Sequence, residues 1–337
     1  MTSTMRAAVI TAAQHFEIQQ RAIPVPAPGS ALIAVALAGI CGGDLQQYRR
    51  ATGALATIPG HEACGTVASA PGHAALEGRR VVFDPQVHWC GHCEWCAKGH
   101  TEVCAQRRYL GAHVDGTFAQ FVAVPIDRLY PIPDSMTWEE AASVHGLAGP
   151  VFASQRFVHH IGETVAVLGP GAAGLLFVQL AKKCFGASTV ILAGRSAHRL
   201  ALGMQLGADA VVNTLTDKLS DAVLALTGGR GVDVIIETTG NVQLRQELPA
   251  LAALRARVLS YATGPIGFDS LKCLSVFGST GATRSMQPAL DLIASGRIVT
   301  GPLISHRYPL DDIQQAFDTA IGDAKGDYVK GVIDLTQ

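Results

Sequence analysis

The stretch "VAVLGPGAAGLLFVQLA", residues 165–181, decides the fold of one part of the chain. A short apolar run is followed by Gly169, Gly171 and Gly174 in G-x-G-x-x-G spacing, and then by an amphipathic segment. Between a strand and a helix, the first glycine permits a tight turn, the second lets the backbone approach a pyrophosphate, and the third lets helix and strand pack closely. The N–H groups at the start of the helix favour an anion there. The stretch therefore predicts a dinucleotide site rather than an ordinary glycine turn.

The sequence on either side of this motif has two different patterns. Before it, residues 6–150 contain short apolar or alternating runs separated by Gly, Pro and polar turns, which is typical of a β-rich region. After it, predicted strands in "STVILAG", "VDVIIETTG" and "RARVLSYA" alternate with predicted helices in "SAHRLALGMQLG" and "NVQLRQELPALAAL". This alternation predicts an α/β fold with a doubly wound parallel sheet. The chain ends with predicted helices in "SMQPALDLIASG" and "DDIQQAFDTAI" and a strand in "KGVIDL".

Composition excludes several classes of protein. With 337 residues, 48% of them hydrophobic and 16% charged, the chain is long and apolar enough for two folded domains. A net charge of −1 argues against nucleic acid or an anionic membrane surface as a partner. No run approaches the roughly 20 uncharged apolar residues of a membrane span, and the start of the chain lacks the pattern of a signal peptide. We therefore expect a cytoplasmic protein.

The end of the strand after the glycine motif bears on the choice of cofactor. An NAD site places Asp or Glu about 20 residues after the glycines, where it binds the ribose 2′-hydroxyl. In "TVILAGRSAHR" the strand ends at Gly194, and no carboxylate follows, but Arg195, Ser196 and Arg199 do. Glycine leaves room for a 2′-phosphate, and arginine pairs with phosphate in a forked geometry. The pattern favours NADP; the alternative is a solvated basic turn that only begins a helix.

Four of the eight cysteines lie close together in "CGHCEWCAKGHTEVC". Cys90, Cys93, Cys96 and Cys104 offer four thiolates at a spacing that suits a closed tetrahedral zinc site, with no position left for a substrate. A disulfide pair is disfavoured in a reducing compartment, and the spacing is unusual for an iron–sulfur cluster. The segment therefore predicts a structural zinc site. Three neighbouring histidines are expected at the surface: His88, His92 and His100.

Together these motifs resemble the zinc-dependent medium-chain dehydrogenases, the group of alcohol, polyol and threonine dehydrogenases. The likeness runs nearly end to end and is carried by "GICGGD", "PGHEACGTV", the four-cysteine segment, "DGTFAQFVAVP", "GPGAAG", "VDVIIETTG" and the terminal "KGVI". It implies a GroES-like β-rich catalytic domain (1–146, with a structural zinc lobe at 88–106), a Rossmann cofactor domain (147–284) and a C-terminal segment that completes the catalytic domain (285–337). It also implies hydride transfer between a nicotinamide and an alcohol or ketone carbon of a small molecule, in a homo-oligomer, either a dimer or a tetramer.

The resemblance further implies a second, catalytic zinc site. Cys41 in "ICGGD" and His61 in "GHEACG" match two zinc ligands of the family, and Glu62 matches a glutamate that binds zinc in some members and lies behind it in others. Asp44 matches the carboxylate that orients the ligating histidine. Aligning "EEAASVHGLAG" with a helix start of the family places His145 at the fourth ligand position. The alternative is that His145 is a buried histidine with no metal role.

The cofactor contacts implied by the resemblance lie at the ends of the predicted strands. They include the glycine motif, the basic turn, the threonines after "VDVIIE", and the segments "YATG" and "GSTG" near the nicotinamide. The residues expected to bind the cofactor are Gly169, Gly171, Ala172, Ala173, Gly174, Gly194, Arg195, Ser196, Arg199, Thr239, Ala262, Thr263, Gly264, Ser279 and Thr280.

The loop "GICGGDLQQY" departs from the family pattern at two positions. Members usually carry Ser or Thr where this chain has Gly43, and often His where it has Gln46; the hydroxyl passes the alcohol proton outward. Since neither residue does acid–base work, we expect a zinc site with an altered proton relay, in which zinc-bound water, Glu62 or a substrate hydroxyl takes the place of the missing groups. Such a site suits a polyol, an amino alcohol or a related oxygenated substrate. Two other hypotheses stay open, namely NADPH-dependent reduction of an activated C=C bond and a non-catalytic NADPH-binding protein.

Overall fold

The computed structural model describes residues 3–266, 270–282, 284–322 and 326–336. The chain forms two compact units. The first contains Met1–Ala148, Ala282–Ala294 and Thr300–Gln337, and the second contains Gly149–Gly281 and Ser295–Val299. The domain boundaries expected after residues 146 and 284 stay predictions. Among the described helices, none combines the length and the apolar character that a bilayer span requires.

The first unit begins with mainly β-structure. Its strands in this part are β1 (Thr4–Ala12), β2 (His15–Ala22), β3 (Ser30–Gly39), β4 (Glu62–Ser69), β5 (Arg80–Phe83), β6 (Gln86–His88), β7 (Arg108–Tyr109), β8 (Phe121–Pro125) and β9 (Leu129–Pro131). Its helices here are α1 (Gly42–Arg50), α2 (Glu94–Ala97), α3 (Trp138–Ala142) and α4 (Val144–Ser154). The chain leaves the first unit within α4.

The second unit alternates strands with helices. Its strands are β10 (Thr164–Leu168), β11 (Thr189–Gly194), β12 (Ala210–Asn213), β13 (Val232–Glu237), β14 (Ala252–Ser260) and β15 (Ser275–Gly278). Its helices are α5 (Ala172–Lys183), α6 (Ala197–Leu206), α7 (Leu219–Leu226) and α8 (Val242–Leu251). The strands pair in parallel in the order β12-β11-β10-β13-β14-β15. This is the doubly wound order, with its reversal point between β10 and β13, and it confirms the predicted fold class.

The glycine motif in this unit has the backbone that its sequence predicts. All five residues of β10 are buried, as is typical of a strand covered on both faces of a parallel sheet. Gly169 follows with φ of +104°, a conformation that side chains other than glycine rarely adopt. A Cβ atom at Gly174 would lie 1.8 Å from the carbonyl oxygen of Gly169, so only glycine permits this approach of α5 to β10.

The end of the chain completes the first unit. Its elements are α9 (Met286–Ala294), β16 (Ile304–Pro309), α10 (Ile313–Ile321) and β17 (Lys330–Asp334). β17 pairs with β16 in parallel and with β3 in antiparallel orientation, so the main sheet of this unit runs β16-β17-β3-β4-β5-β9, with β8 also paired to β3. The first residue of β17, Lys330, is thereby placed near the first residue of β4, Glu62, across the end of β3.

Candidate active site

The loop between β3 and α1 holds the first candidate metal ligand. Cys41 directly precedes α1, and its backbone N–H donates a hydrogen bond to Oδ2 of Asp44 at 2.9 Å. Asp44 is 3% exposed, so a charged side chain in the first turn of the helix is held inside the unit. A carboxylate in this place also interacts favourably with the positive end of the helix dipole. The backbone of Cys41 is therefore fixed by its own helix.

The other oxygen of the same carboxylate orients the histidine. Nδ1 of His61 lies 3.1 Å from Oδ1 of Asp44, within hydrogen-bond distance. A histidine that donates one ring N–H to a carboxylate presents its other nitrogen to a metal. Gly60, before His61, has φ of +93°, and a Cβ there would lie 2.8 Å from Oγ1 of Thr117. The chain therefore reaches His61 through a turn that only glycine fits.

Glu62 is held by a lysine that the sequence interpretation did not assign to the site. Oε2 of Glu62 lies 2.5 Å from Nζ of Lys330, which also donates to the carbonyl oxygen of Ile40 at 3.3 Å. Both charged side chains are buried, at 4% and 8% exposed. A Cβ at Gly39 would lie 3.0 Å from Oε2 of Glu62 and 3.2 Å from Cε of Lys330. The last residue of β3 must therefore be small for the pair to form.

His145 lies beside this group. Its Nδ1 is 3.7 Å from Oε1 of Glu62, and its ring meets that of His61 edge to face, with centroids 5.4 Å apart. Among the described residues, this buried nitrogen has no hydrogen-bond partner. His145 is nevertheless outside the set of donors that lie within 4.8 Å of one another, which comprises Cys41, His61 and Glu62.

Burial and neighbouring charges shift the pKa values in this cluster. Burial raises the pKa of the Cys41 thiol, and the Glu62 carboxylate adds to the effect. Burial opposes a charge on His61, but Asp44 and Cys41 hold the pKa of its ring well above the usual value. Burial would also raise the pKa of Glu62, yet Lys330 and the nearby histidines hold it well below the usual range. Glu62 is therefore a carboxylate at neutral pH.

The donor set fits a zinc ion. Thiolate, imidazole and carboxylate are the three kinds of side chain that bind zinc, and catalytic zinc sites combine three protein ligands with an open position. The ligand atoms of Cys41, His61 and Glu62 lie close enough together to share one ion. The backbone and ion-pair contacts described above hold these donors from behind.

The two positions that depart from the family pattern differ in their surroundings. A Cβ at Gly43 would lie 3.7 Å from Cε1 of His61 and 4.0 Å from Sγ of Cys41, which are ordinary contact distances. The space beside the ligands is thus open, as expected from the missing side chain. Gln46 is exposed on α1. Neither residue offers a titratable group.

The four-cysteine segment forms a second candidate metal site. The sulfur atoms of Cys90, Cys93, Cys96 and Cys104 lie within 4.8 Å of one another. Cys104 and Cys96 place their sulfurs 3.6 Å and 3.9 Å from that of Cys90. Four thiolates around zinc, each about 2.3 Å from the ion, would be separated by about 3.8 Å. A disulfide would require about 2.0 Å, so these distances fit the metal and not the disulfide alternative.

Backbone N–H groups support negative charge on these sulfurs. The N–H of Cys93 donates to the sulfur of Cys90 at 3.3 Å, and the N–H of Gln106 donates to that of Cys104 at 3.4 Å. Backbone N–H groups of His92 and Cys93 lower the pKa of Cys90 to about 6. The thiolate is the form that binds a metal. Three nearby histidines are exposed, as predicted: His88, His92 and His100.

The candidate cofactor residues of the second unit lie at the carboxyl ends of its strands. Gly169 to Gly174 connect β10 to α5, and Gly171 is the residue that precedes the helix. Thr239 follows β13, and Ala262 to Gly264 follow β14. In open α/β sheets, ligands bind at this edge, where the strand order reverses. The hydroxyl of Ser279, after β15, is buried and has no hydrogen-bond partner among the described residues. Such a group is suited to form a hydrogen bond with a bound ligand.

The basic turn after β11 is more structural than its sequence suggests. A Cβ at Gly194 would lie 2.2 Å from Cδ of Pro170, so the ring of this proline fills the space next to the glycine. The hydroxyl of Ser196 caps α6 by accepting the N–H of Arg199 at 3.4 Å. Arg195 is exposed and free to reach a phosphate. The argument for a 2′-phosphate therefore rests on Arg195 and on the missing carboxylate, and not on room at Gly194.

Comparison with known proteins agrees with both parts of this arrangement. Residues 27–134 match the family model of the alcohol dehydrogenase GroES-like domain. Residues 172–295 match the family model named zinc-binding dehydrogenase. The first match covers the candidate ligands Cys41, His61 and Glu62, and the second covers all strands of the parallel sheet except β10.

Individual relatives extend the likeness to nearly the whole chain. The sorbitol dehydrogenase of Bacillus subtilis is 30% identical over 336 residues, which cover 94% of each chain. A Sinorhizobium meliloti protein classed as a zinc-binding dehydrogenase, with NADP bound, superposes with a TM-score of 0.87 at 30% identity over 98% of this chain and 99% of the other. A short chain alcohol dehydrogenase from Escherichia coli CFT073, in complex with NADH, gives a TM-score of 0.90 at 28% identity over the same shares.

Proposed function

Since the chain belongs to the zinc-dependent medium-chain dehydrogenase family, we propose that it is an NADP(H)-preferring alcohol dehydrogenase. It transfers hydride between the nicotinamide and an alcohol or ketone carbon of a polyol, an amino alcohol or a related oxygenated small molecule. The observation that carries this proposal is the cluster of Cys41, His61 and Glu62 beside Gly43, a position without a hydroxyl.

Each residue of the cluster has a defined task in this proposal. A zinc ion held there supplies Lewis-acid polarisation of the substrate oxygen. Asp44 accepts a hydrogen bond from the Nδ1–H group of His61, which leaves Nε2 as the ligand atom. Lys330 compensates the charge of Glu62 inside the unit. His145, whose buried Nδ1 has no hydrogen-bond partner among the described residues and lies near Glu62, is the alternative to Glu62 as third ligand, so that one position stays open for the substrate oxygen.

The four-cysteine lobe holds a second, structural zinc ion in this proposal, which gives two zinc ions per chain. None of the eight cysteines of the chain forms a disulfide, which suits the reducing conditions of the cytoplasm. A homo-oligomer, expected from the family resemblance, stays a prediction that light scattering of the purified protein can check.

The missing hydroxyl determines the substrate class. Oxidation of an alcohol delivers a hydride to NADP⁺ and releases the hydroxyl proton. Gly43 cannot accept this proton, and the exposed amide of Gln46 does not titrate. A hydroxyl or amine on the carbon next to the reacting one can accept and pass the proton, so the substrate completes the relay. General acid–base help of this kind is worth about 10²–10⁴-fold in rate, so simple alcohols are expected to react slowly.

The test of this proposal is the variant Gly43→Ser. A serine Cβ fits beside His61 and Cys41, so the change adds a hydroxyl without a clash. We expect kcat/KM for a simple secondary alcohol to rise by about 10- to 100-fold. The best polyol or amino alcohol of a substrate screen should change by less than about threefold. Gly42→Ser is the matched control, since a Cβ there has no atom within 4 Å.

Two results would contradict the proposal. The first is a parent protein that already oxidises simple alcohols as fast as polyols. The second is NADPH oxidation with an enone panel but not with a carbonyl panel, which would favour C=C reduction.

The preference for NADP(H) has its own test in Arg195→Ala. Loss of a charged hydrogen-bonded contact to the 2′-phosphate should cost about 1.5–3 kcal/mol, or about 10- to 150-fold in the Kd of NADPH. The Kd of NADH should stay nearly unchanged. The control is Arg255→Ala, which removes an exposed arginine of β14 and should leave both Kd values unchanged. Equal affinity of the parent for both cofactors would refute the preference and leave the dehydrogenase proposal standing.

A further inference from the structure

A buried ion pair in the second unit is not explained by the parallel sheet itself. Glu237, the last residue of β13, is fully buried, and Arg245 on α8 is 1% exposed. Nε of Arg245 donates to Oε2 of Glu237 at 2.8 Å, and Nη2 lies 2.6 Å from the same oxygen. Buried ion pairs seldom stabilise a fold more than apolar residues of similar size would. A pair in this place therefore calls for another explanation.

The carboxylate of this pair organises the turn that follows β13. Its second oxygen, Oε1, accepts the backbone N–H groups of Thr239 at 2.6 Å and of Gly240 at 3.0 Å. The hydroxyl of Thr239 donates to the same oxygen. Thr238 directly follows Glu237, and its hydroxyl donates a hydrogen bond at 2.8 Å to the carbonyl oxygen of Leu168, next to the glycine motif. The turn at 238–240 is thus fixed by one buried carboxylate and by the end of β10.

The guanidinium of the pair organises the turn that follows β14. Nη2 of Arg245 donates to the carbonyl oxygen of Ala262 at 2.6 Å, and Nη1 donates to that of Pro265 at 3.2 Å. Gly264, between these residues, has φ of +127°, and a Cβ there would lie 2.7 Å from Nη1. The turn at 261–265 is therefore wrapped around the arginine head group.

Both turns lie on one half of the cofactor edge. A doubly wound sheet in this strand order consists of two mononucleotide-binding halves, of which the first begins with the glycine motif. The turns after β13 and β14 belong to the second half. A dinucleotide whose adenosine side lies over β10 and β11 places its nicotinamide side over these turns.

We propose that Glu237 and Arg245 are positioning residues that hold the 238–240 and 261–265 turns in the conformation that accepts the nicotinamide half of the cofactor. The inference rests on the dinucleotide site of the proposed function and goes beyond it. Neither side chain needs to touch the cofactor. If the pair is lost, a smaller fraction of molecules has both turns in place, and the apparent Kd rises in proportion.

The experiment measures cofactor binding by calorimetry in the full-length parent and in the double variant Glu237→Gln/Arg245→Met. Removing both charges avoids leaving one of them buried and unpaired. The ligands are NADPH or NADH, whichever the parent binds more tightly, and the fragment that lacks the nicotinamide half, adenosine 2′,5′-bisphosphate or ADP. We expect the Kd of the dinucleotide to rise about 10- to 100-fold and the Kd of the fragment to stay within about twofold.

The matched control is a second ion pair at the opposite end of β13. Arg230 and Asp233 approach to 2.5 Å near the amino end of this strand, so Arg230→Met/Asp233→Asn should leave both Kd values unchanged. Arg245→Lys tests the idea in a more conservative way, because lysine can pair with Glu237 but cannot hold both carbonyl oxygens of the second turn. This variant should have a higher Kd for the dinucleotide and an unchanged Kd for the fragment.

Two results would overturn the inference. In the first, a folded double variant or lysine variant binds the dinucleotide with the Kd of the parent. In the second, the Kd values of the dinucleotide and of the fragment rise by the same factor. A parent that binds neither NADPH nor NADH would refute the proposed function first and this inference with it. The two failures are distinguishable, because failure of the proposed function is seen in the parent protein itself and needs no variant.

Discussion

The two candidate metal sites of the first unit are built in opposite ways. In the four-cysteine lobe, four identical donors come from one short segment, Cys90 to Cys104, in which only Cys104 and Glu102 are buried. Trp95 and Val103 of the same segment are 47% and 42% exposed, so apolar packing there is slight. In the other site, three different donors come from two loops and a strand, and Asp44, Lys330 and the main sheet hold them from behind.

This difference indicates what a metal ion does at each place. Where the chain supplies no core of its own, metal binding supplies the folding free energy. Where buried contacts already hold the donors, we expect the ion to serve the chemistry and the fold to survive without it. Substitutions that separate activity from stability therefore test the comparison.

The largest effect is expected for Cys41→Ser. Loss of this ligand should lower kcat/KM by about 10³-fold or more, because Lewis-acid help is worth several kcal/mol. The far-UV circular dichroism spectrum at 25 °C should match that of the parent. Cys184→Ser, at a half-buried cysteine of the second unit, should keep full activity. A Cys41→Ser protein with parental activity would remove this residue from the catalytic site.

Cys93→Ser should act on stability in the first place. Three remaining thiolates cannot close a tetrahedral site, so the lobe should lose its metal and its order. We expect the melting temperature to fall by about 5–15 °C, and limited proteolysis to cut within residues 88–106. Mild chelation of the parent should reproduce the cleavage. A variant that melts like the parent and resists the protease would show that the lobe folds without metal.

A smaller effect is expected for Lys330→Met, which tests the support behind Glu62. The change leaves the carboxylate buried without its counter-charge and frees it from its 2.5 Å contact. Changes to groups that orient metal ligands typically cost about 10- to 100-fold in metal affinity or activity. Lys330→Arg should recover most of the zinc affinity measured by competition with a chelator. If Lys330→Met keeps the parental affinity, Glu62 is not positioned by this lysine.

The sequence alone predicts the features that depend on neighbouring residues. The glycine motif between β10 and α5 and the clustered thiols are local patterns, and the structure places both as expected. Among the described elements of the second unit, three were not predicted: β12, α7 and β15. Two of them are strands of only four residues, too short to show a clear period, and α7 is only eight residues long.

Contacts between distant segments could not be predicted. Lys330 stands 268 positions from Glu62 and reaches it only because β17 pairs with β3 in one register. The signal in the sequence was a lysine at the start of an apolar strand, which does not name its partner. At Gly194 the sequence pattern was explained in the wrong way. This residue is small because it contacts Pro170, 24 positions earlier in the chain, and not because it leaves room for a phosphate.

Zinc content per chain is the most direct test of the claim that the two sites differ in role. Elemental analysis of purified parent should give two zinc ions per chain. Cys41→Ser should give one, with the circular dichroism spectrum and the protease resistance of residues 88–106 retained. Cys93→Ser should also lose one ion, but together with that resistance. A Cys41→Ser protein that still holds two zinc ions, or that loses the order of the lobe, would contradict the division between a catalytic and a structural metal site.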